Sequence, residues 1–81
     1  MITIGIIEDD PILRRNIETL ISTQKDTTIS FNLNSIEQFL LHKTDYTEPL
    51  AVFCDLGLPG ISGKEGITYI RQVWSDVYIV V

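Results

Sequence analysis

Acidic residues stand at two distant points of the chain, each directly after a run of apolar residues. Glu8 to Asp10 follow the apolar run 2–7, and Asp55 follows the apolar run 50–54. Glu8, Asp9 and Asp55 would repel one another by roughly 1 to 4 kcal/mol per pair if they lay about 4 to 8 Å apart at a protein surface. Such a group needs a compensating cation, and Mg²⁺ prefers oxygen ligands of this kind.

The same acids indicate what the cation would do. Mg²⁺ bound by few carboxylates keeps positions that waters and phosphate oxygens fill. A carboxylate can itself attack a phosphoryl group and form an aspartyl phosphate, while the metal neutralises charge on the transferred group. Asp55 is the candidate nucleophile because it stands alone after its apolar run. We therefore expect a phosphoryl-accepting site with Asp55 as the acceptor and Mg²⁺ as the cofactor.

Hydrophobic patterns predict the elements that must bring these acids together. Apolar, β-branched runs are typical of buried parallel strands, polar-apolar alternation indicates a strand with one wetter face, and apolar residues at helical spacing indicate helices. Asp10 before Pro11, and Ser35 three positions before Gln38, are helix starts. The predicted strands are 2–7, 27–33, 50–55 and 77–81, and the predicted helices follow Asp10, run from Ser35 to about His42, and contain the apolar stripe 67–74.

Strands that alternate with helices predict an α/β fold with a parallel sheet. The expected class is a flavodoxin-like doubly wound parallel sheet in the order β1-α1-β2-α2-β3-α3-β4. In the flavodoxin-like strand order 2-1-3-4-5, ligands bind at the carboxyl ends of strands one and three. Both of these strands end in acids, so Glu8, Asp9 and Asp55 are expected to share one crevice. The glycine- and proline-rich stretch 56–63 is predicted to form a loop.

Two segments, Ile6–Pro11 with Arg14 and Val52–Ile67, together resemble response-regulator receiver domains. They contain an acid pair, an isolated Asp and a D-x-x-x-P-G-x-x-G loop. The resemblance implies that Asp9 binds Mg²⁺ directly and that Glu8 acts mainly through a bound water. It also implies that Asp55 takes the phosphoryl group beside the metal and that the Gly57 backbone carbonyl is a further metal ligand. The implied phosphodonor is a sensor histidine kinase or phosphotransfer protein, and Asp10 would be a helix cap.

Receiver domains normally continue through two more helices and a fifth strand, and they carry a Ser or Thr after strand four and a Lys after strand five. The resemblance thus implies that residues 1–81 correspond to the N-terminal two thirds of a receiver domain, with an incomplete CheY-like sheet, and we expect a longer parent regulator. The apolar segment 77–81 would then be an open sheet edge, so we expect a homodimer or a strand-swapped dimer through it. DNA would be bound only through an output domain, for a transcriptional output, that these residues lack.

Composition excludes several other classes of protein. The net charge is −5 and no Lys or Arg cluster is present, which disfavours direct contact with nucleic acid. The apolar runs are too short to span a bilayer and no signal peptide is recognisable, so we expect no membrane partner and a cytoplasmic location. The single cysteine, Cys54, cannot form an internal disulfide. Cys54, Phe39 and Trp74 are read as core residues, and His42 as a solvent-exposed or helix-capping residue.

Three other functions compete with the phosphoryl switch. A receiver-like module could bind a partner without being phosphorylated, and Mg²⁺ and phosphodonor dependence would separate the two. A haloacid-dehalogenase-like phosphatase also uses an Asp after a strand, but it requires another acid two positions later, where this chain has Gly57. A dinucleotide-binding enzyme needs a glycine-rich turn after its first strand, where this chain has three acids.

Overall fold

The computed structural model describes residues 1–81 as one alternating series of strands and helices. The strands are β1 (Ile2–Ile7), β2 (Thr27–Leu33), β3 (Ala51–Cys54) and β4 (Tyr78–Val80), and the helices are α1 (Pro11–Ser22), α2 (Ile36–His42) and α3 (Gly63–Val73). A single 3-10 turn, Lys43–Asp45, follows α2 and was not predicted. All strand pairs are parallel and the sheet order is β2-β1-β3-β4. The predicted α/β class and the position of β2 at an edge are confirmed.

Each helix begins at a side-chain cap. Asp10 caps α1, Ser35 caps α2 and Ser62 caps α3 by accepting hydrogen bonds from backbone amides of the first turn. At α2 the reciprocal bond of a capping box differs from the expected one, because the Gln38 side chain accepts from the amide of Asn34, one position before the cap. The cap residues therefore fix where each chain segment turns away from the carboxyl edge of the sheet.

The larger part of the core lies between the sheet and helices α2 and α3. Phe31, Phe39, Tyr46 and Trp74 pack there as an aromatic cluster, with ring centroids 4.9 Å apart for Phe31 and Tyr46 and 5.6 Å apart for Phe39 and Trp74. Phe39 is fully buried and Trp74 nearly so. The prediction that Phe39 and Trp74 are core residues is confirmed.

One glycine of β1 makes this packing possible. Gly5 pairs with Phe31 across the sheet, and a Cβ at Gly5 would overlap the Phe31 ring. The ring therefore rests directly on the backbone of β1, the strand that ends in the acids. β1 therefore packs against the aromatic core at Gly5 and also positions Glu8 and Asp9, which follow its last residue.

The opposite face of the sheet is covered less completely. Helix α1 packs mainly against β1 and β2, where Ile4, Ile6 and Ile21 form a small core. Phe53 and Ala51 of β3 face this side and are only half-buried, so β3 is not enclosed on both faces as its apolar run suggests. β3 and β4 are also shorter than predicted, with four and three residues.

β4 is the strand at the open edge of the sheet. Its residues Tyr78 and Val80 are exposed. The association of two chains through this edge stays a prediction. The longest helix has 12 residues, and none of the helices has both the length and the apolar character needed to cross a bilayer.

Candidate functional site

The carboxyl ends of β1 and β3 lie side by side, because Ile7 pairs with Cys54 in the last register position. Backbone hydrogen bonds continue one residue further on both strands. The Asp55 amide donates to the Ile7 carbonyl at 3.1 Å, and the Glu8 amide donates to the Leu33 carbonyl of β2 at 3.0 Å. The sheet itself therefore places Glu8 and Asp55 next to each other.

Glu8, Asp9 and Asp55 form an acidic cluster at this edge, with one carboxylate oxygen of each residue within 4.8 Å of the others. The predicted convergence of these residues is confirmed. Glu8 is the most buried of the three, with 6% of its surface exposed, while Asp55 is half-buried and Asp9 is exposed. A shielded acid thus lies under two acids that solvent can reach.

Burial is the main cause that raises the pKa of Glu8 above its ordinary value. The backbone amide of Asp10, which donates to Glu8 Oε2 at 3.3 Å, opposes this shift, and the nearby Asp55 and Asp9 add to it. The ionised form of Glu8 is therefore disfavoured in this cluster.

No basic side chain forms an ion pair with these three carboxylates. The one ion pair in the structure joins His42 and Asp45, at 3.5 Å, away from the acids. Three carboxylates supply hard oxygen ligands, which is the donor set that Mg²⁺ prefers. The acidic cluster therefore fits a divalent cation both in its uncompensated negative charge and in its oxygen ligands.

Asp10 is not part of the acidic cluster, and its side chain caps helix α1 instead. Its Oδ1 accepts hydrogen bonds from the amides of Ile12 at 2.9 Å and Leu13 at 3.3 Å. The prediction that Asp10 caps α1 is confirmed. Arg14, one turn into the same helix, donates to the carbonyl of Glu8 at 3.2 Å and so ties α1 to the end of β1.

Gly57 touches the predicted acceptor through its amide. The Gly57 N–H donates to Asp55 Oδ1 at 3.0 Å, which restrains rotation of that carboxylate. A Cβ at Gly57 would lie 3.7 Å from the same oxygen, so this position borders the acceptor directly. The predicted role of the Gly57 carbonyl as a metal ligand stays a prediction.

Cys54 and His42 take no part in the cluster. Cys54 is buried beside Asp55, and burial raises the pKa of its thiol to about 11, with the charges of Asp55 and Glu8 contributing. It is therefore an unreactive core residue, as predicted. His42 is exposed at the end of α2, as predicted.

The contact of Glu37 with the loop beside the site was not predicted from the sequence. Glu37 of α2 accepts a hydrogen bond from the amide of Ile61 in the loop that follows β3. The two residues are 24 positions apart and no local pattern joins them. Only the packing of α2 beside this loop reveals the contact.

The model of the response regulator receiver domain matches residues 4–81 of this chain. The chain belongs to the response regulator receiver domain family. Receiver domains of two-component response regulators are signalling domains rather than ordinary enzymes, their partners are histidine kinases, and they typically bind Mg²⁺. The resemblance drawn from the sequence is confirmed at the level of the family.

A curated relative supports the same assignment. The nitrate/nitrite response regulator protein NarL of Escherichia coli is 31% identical to this receiver domain over 70 residues, which cover 86% of the chain and 32% of NarL. The chain thus spans about a third of the length of the curated relative that it matches.

Solved structures have the same fold. A LuxR-family two-component response regulator from Aurantimonas sp. SI85-9A1 is 29% identical, with a TM-score of 0.79 over 95% of this chain and 54% of that one. RcsB from Salmonella enterica serovar Typhimurium, bound to promoter rprA in the presence of the phosphomimetic BeF3⁻, is 17% identical. Its TM-score is 0.84 over 98% of the receiver domain and 40% of RcsB, which shows a shared fold.

Proposed function

We propose that this receiver domain accepts a phosphoryl group from a histidine kinase on Asp55. The observation that carries the proposal is the acidic cluster, in which carboxylate oxygens of Glu8, Asp9 and Asp55 lie within 4.8 Å of one another without a basic partner. A structural role such as helix capping does not account for this arrangement, because Asp10 already caps α1. The cluster suits a nucleophile that works beside a divalent cation.

We propose Glu8, Asp9, Asp55 and the backbone carbonyl of Gly57 as the Mg²⁺-binding groups. Glu8 is shielded from solvent and would act mainly through a bound water, whereas the exposed Asp9 is available to bind the cation directly. When bound, Mg²⁺ offsets the negative charge of the carboxylates and of the incoming phosphoryl group.

The chemistry is a transfer between two nucleophiles. A carboxylate oxygen of Asp55 forms a new bond to phosphorus while the bond from phosphorus to the kinase's histidine nitrogen breaks. That nitrogen keeps the electron pair, and the ring leaves as neutral imidazole because its other nitrogen already carries a proton. The Gly57 amide restrains the Asp55 carboxylate during the attack. The product is an acyl phosphate on Asp55.

The relatives support a role in the control of transcription for the parent regulator. NarL is named a response regulator, and RcsB has been solved with promoter DNA and a phosphomimetic. The net charge of −5 argues against direct DNA contact by the receiver residues, so DNA binding is assigned to an output domain outside them. The free, buried Cys54 fits the cytoplasmic location expected from the sequence.

Intact mass measurement after incubation with acetyl phosphate tests the acceptor. We expect one phosphoryl adduct that requires Mg²⁺, is lost in Asp55→Asn, and is removed by hydroxylamine, which cleaves acyl phosphates. Asp76→Asn is the matched control, because Asp76 is exposed just before β4, at the opposite edge of the sheet. An adduct that persists in Asp55→Asn would contradict the assignment. If neither the wild type nor either variant gains an adduct, the result would favour the partner-binding module that works without phosphorylation.

A further inference from the structure

Glu37 links helix α2 to the loop that carries Gly57. This loop, called here the β3–α3 loop, comprises residues 55–62 between the end of β3 and the start of α3. Glu37 Oε2 accepts a hydrogen bond from the Ile61 amide at 3.3 Å. Glu37 is outside the acidic cluster, so its carboxylate serves the loop rather than the cation.

The loop backbone fits closely around the Glu37 carboxylate. Gly60 has a φ of +73°, a conformation that glycine adopts without steric cost and that suits a turn with Pro59 before it. A Cβ at Gly60 would overlap Glu37 Oε2, so the loop backbone lies directly against this carboxylate. The hydrogen bond from Ile61 and the close approach of Gly60 involve the same carboxylate oxygen.

Few other contacts hold the outer part of this loop. Its first half is fixed by the Gly57 amide on Asp55 and by the Leu58 side chain, which is 5% exposed and packs in the core. Its end is fixed by the Gly63 amide, which donates to the Leu56 carbonyl at 3.2 Å. Pro59 and Gly60 are exposed, so the tip is fastened to the domain through Ile61, whose side chain packs against the core and whose amide donates to Glu37.

We propose that Glu37 is a positioning residue for the acceptor site. By fastening the tip of the β3–α3 loop, it restrains the backbone that follows Leu58 and so supports the position of Gly57 next to Asp55. The inference rests on the proposed function and deepens it, since it names a residue that prepares the loop before the cation or the phosphoryl group arrives. Glu37 also lines a polar groove with Asp9, so the charge-neutral variant Glu37→Gln is needed to separate loss of the hydrogen bond from loss of the charge.

Amide hydrogen exchange tests the contact without any metal. In Glu37→Ala the Ile61 amide loses its acceptor, and we expect it to exchange roughly threefold to tenfold faster. Glu37→Gln keeps a side-chain carbonyl oxygen in the same place without the charge, so its exchange should stay within about twofold of the wild type. Glu48→Ala is the matched control, an exposed Glu near the amino end of β3. Unchanged exchange in Glu37→Ala would overturn the inference.

Titration with Mn²⁺, followed by the electron paramagnetic resonance of the free ion, tests the consequence. We expect the Kd of Glu37→Ala to rise roughly threefold to tenfold, and that of Glu37→Gln to stay near the wild-type value. Equal weakening in both variants would assign the effect to charge alone and overturn the positioning role. Wild-type affinity in Glu37→Ala would overturn it as well.

Failure of the proposed function gives a different result. If the wild-type chain binds no Mn²⁺, the metal site itself is refuted, and the inference falls with it because no cation needs to be positioned. If the wild type binds Mn²⁺ but Asp55 takes no phosphoryl group, phosphorylation is refuted while the variant affinities still decide the role of Glu37.

Discussion

The aromatic face of the sheet and its acidic carboxyl edge are held by opposite kinds of interaction. On the face, Phe39 is fully buried among other rings, and burial of apolar surface favours the folded state. At the edge, the acidic cluster places three carboxylates within 4.8 Å without a basic partner. Stability is therefore concentrated on the face, while the edge keeps unfavourable interactions that a bound cation would relieve. Loss of a buried ring on the face should lower stability, whereas loss of a carboxylate from the acidic cluster should raise it when no cation is bound.

The largest effect is expected from Phe39→Ala on the aromatic face. The change removes a fully buried ring and leaves a cavity, so the free energy of unfolding should fall by about 3 to 5 kcal/mol. Small domains have roughly 5 to 15 kcal/mol in total, so this variant should be close to unfolding at room temperature. Urea denaturation monitored by Trp74 fluorescence measures the loss.

Phe39→Leu is the control for this prediction. It keeps most of the apolar volume, and its loss should be smaller, at about 1 to 2 kcal/mol. A loss below about 1 kcal/mol for Phe39→Ala would show that the aromatic face is not the main source of stability.

The elements of the fold follow from the sequence because local signals agree with the tertiary structure. Asp10, Ser35 and the apolar stripes mark the helices, and β1 and β2 have the predicted bounds. The exposure of Phe53 could not be predicted, because it depends on which strands α1 covers. Nor could the turn at Lys43–Asp45, which lacks a cap or an apolar stripe of its own.

A second loss of stability is expected from Gly5→Ala, at the junction between face and edge. The added Cβ would overlap the Phe31 ring, and such overpacking typically costs about 1 to 3 kcal/mol. Gly57→Ala is the matched control, since its Cβ would meet only Asp55 Oδ1 at an ordinary 3.7 Å. Thermal unfolding of both variants gives the comparison. Equal stabilities would mean that the Phe31 ring moves away from β1 without loss.

A gain of stability is expected from Glu8→Gln at the edge. The pKa of Glu8 is raised by burial, so the ionised carboxylate opposes folding at neutral pH. Without Mg²⁺ at pH 7, the variant should be more stable than the wild type by on the order of 1 kcal/mol, from the cost of burying the charge and the repulsion by Asp55 and Asp9 that it removes. The advantage should shrink as the pH falls through the raised pKa and vanish below the ordinary value of 4.5, where both chains are uncharged at this position.

Urea denaturation at several pH values, with and without Mg²⁺, checks this gain. Saturating Mg²⁺ should stabilise the wild type and have less effect on Glu8→Gln, because a ligand that binds only the folded state adds stability. Glu48→Gln, at an exposed position, should show neither effect. A variant less stable than the wild type at pH 7 without Mg²⁺ would contradict the view that the edge is strained by charge.

The candidate site was predictable where it depends on strand ends and not where it depends on tertiary contacts. Parallel strands meet at one edge, so acids after β1 and β3 had to converge. The contact of Glu37 with Ile61 joins α2 to a loop 24 positions away, and the bond from Arg14 to the Glu8 carbonyl depends on the direction in which α1 leaves the sheet. Neither has a signature in the local sequence.

The smallest effect is expected from Asp10→Ala, which separates two neighbouring acids with different roles. Asp10 Oδ1 accepts from the amides of Ile12 and Leu13, so its loss should cost about 1 kcal/mol of stability. Mn²⁺ affinity should stay within about twofold of the wild type, whereas Asp9→Ala should weaken it strongly without loss of stability, because it removes one of the repelling carboxylates. Asp10→Ser keeps a capping oxygen without the charge and should recover the stability. If Asp10→Ala instead lost Mn²⁺ affinity as Asp9→Ala does, both acids would bind the cation and the acidic cluster would have to include the helix cap.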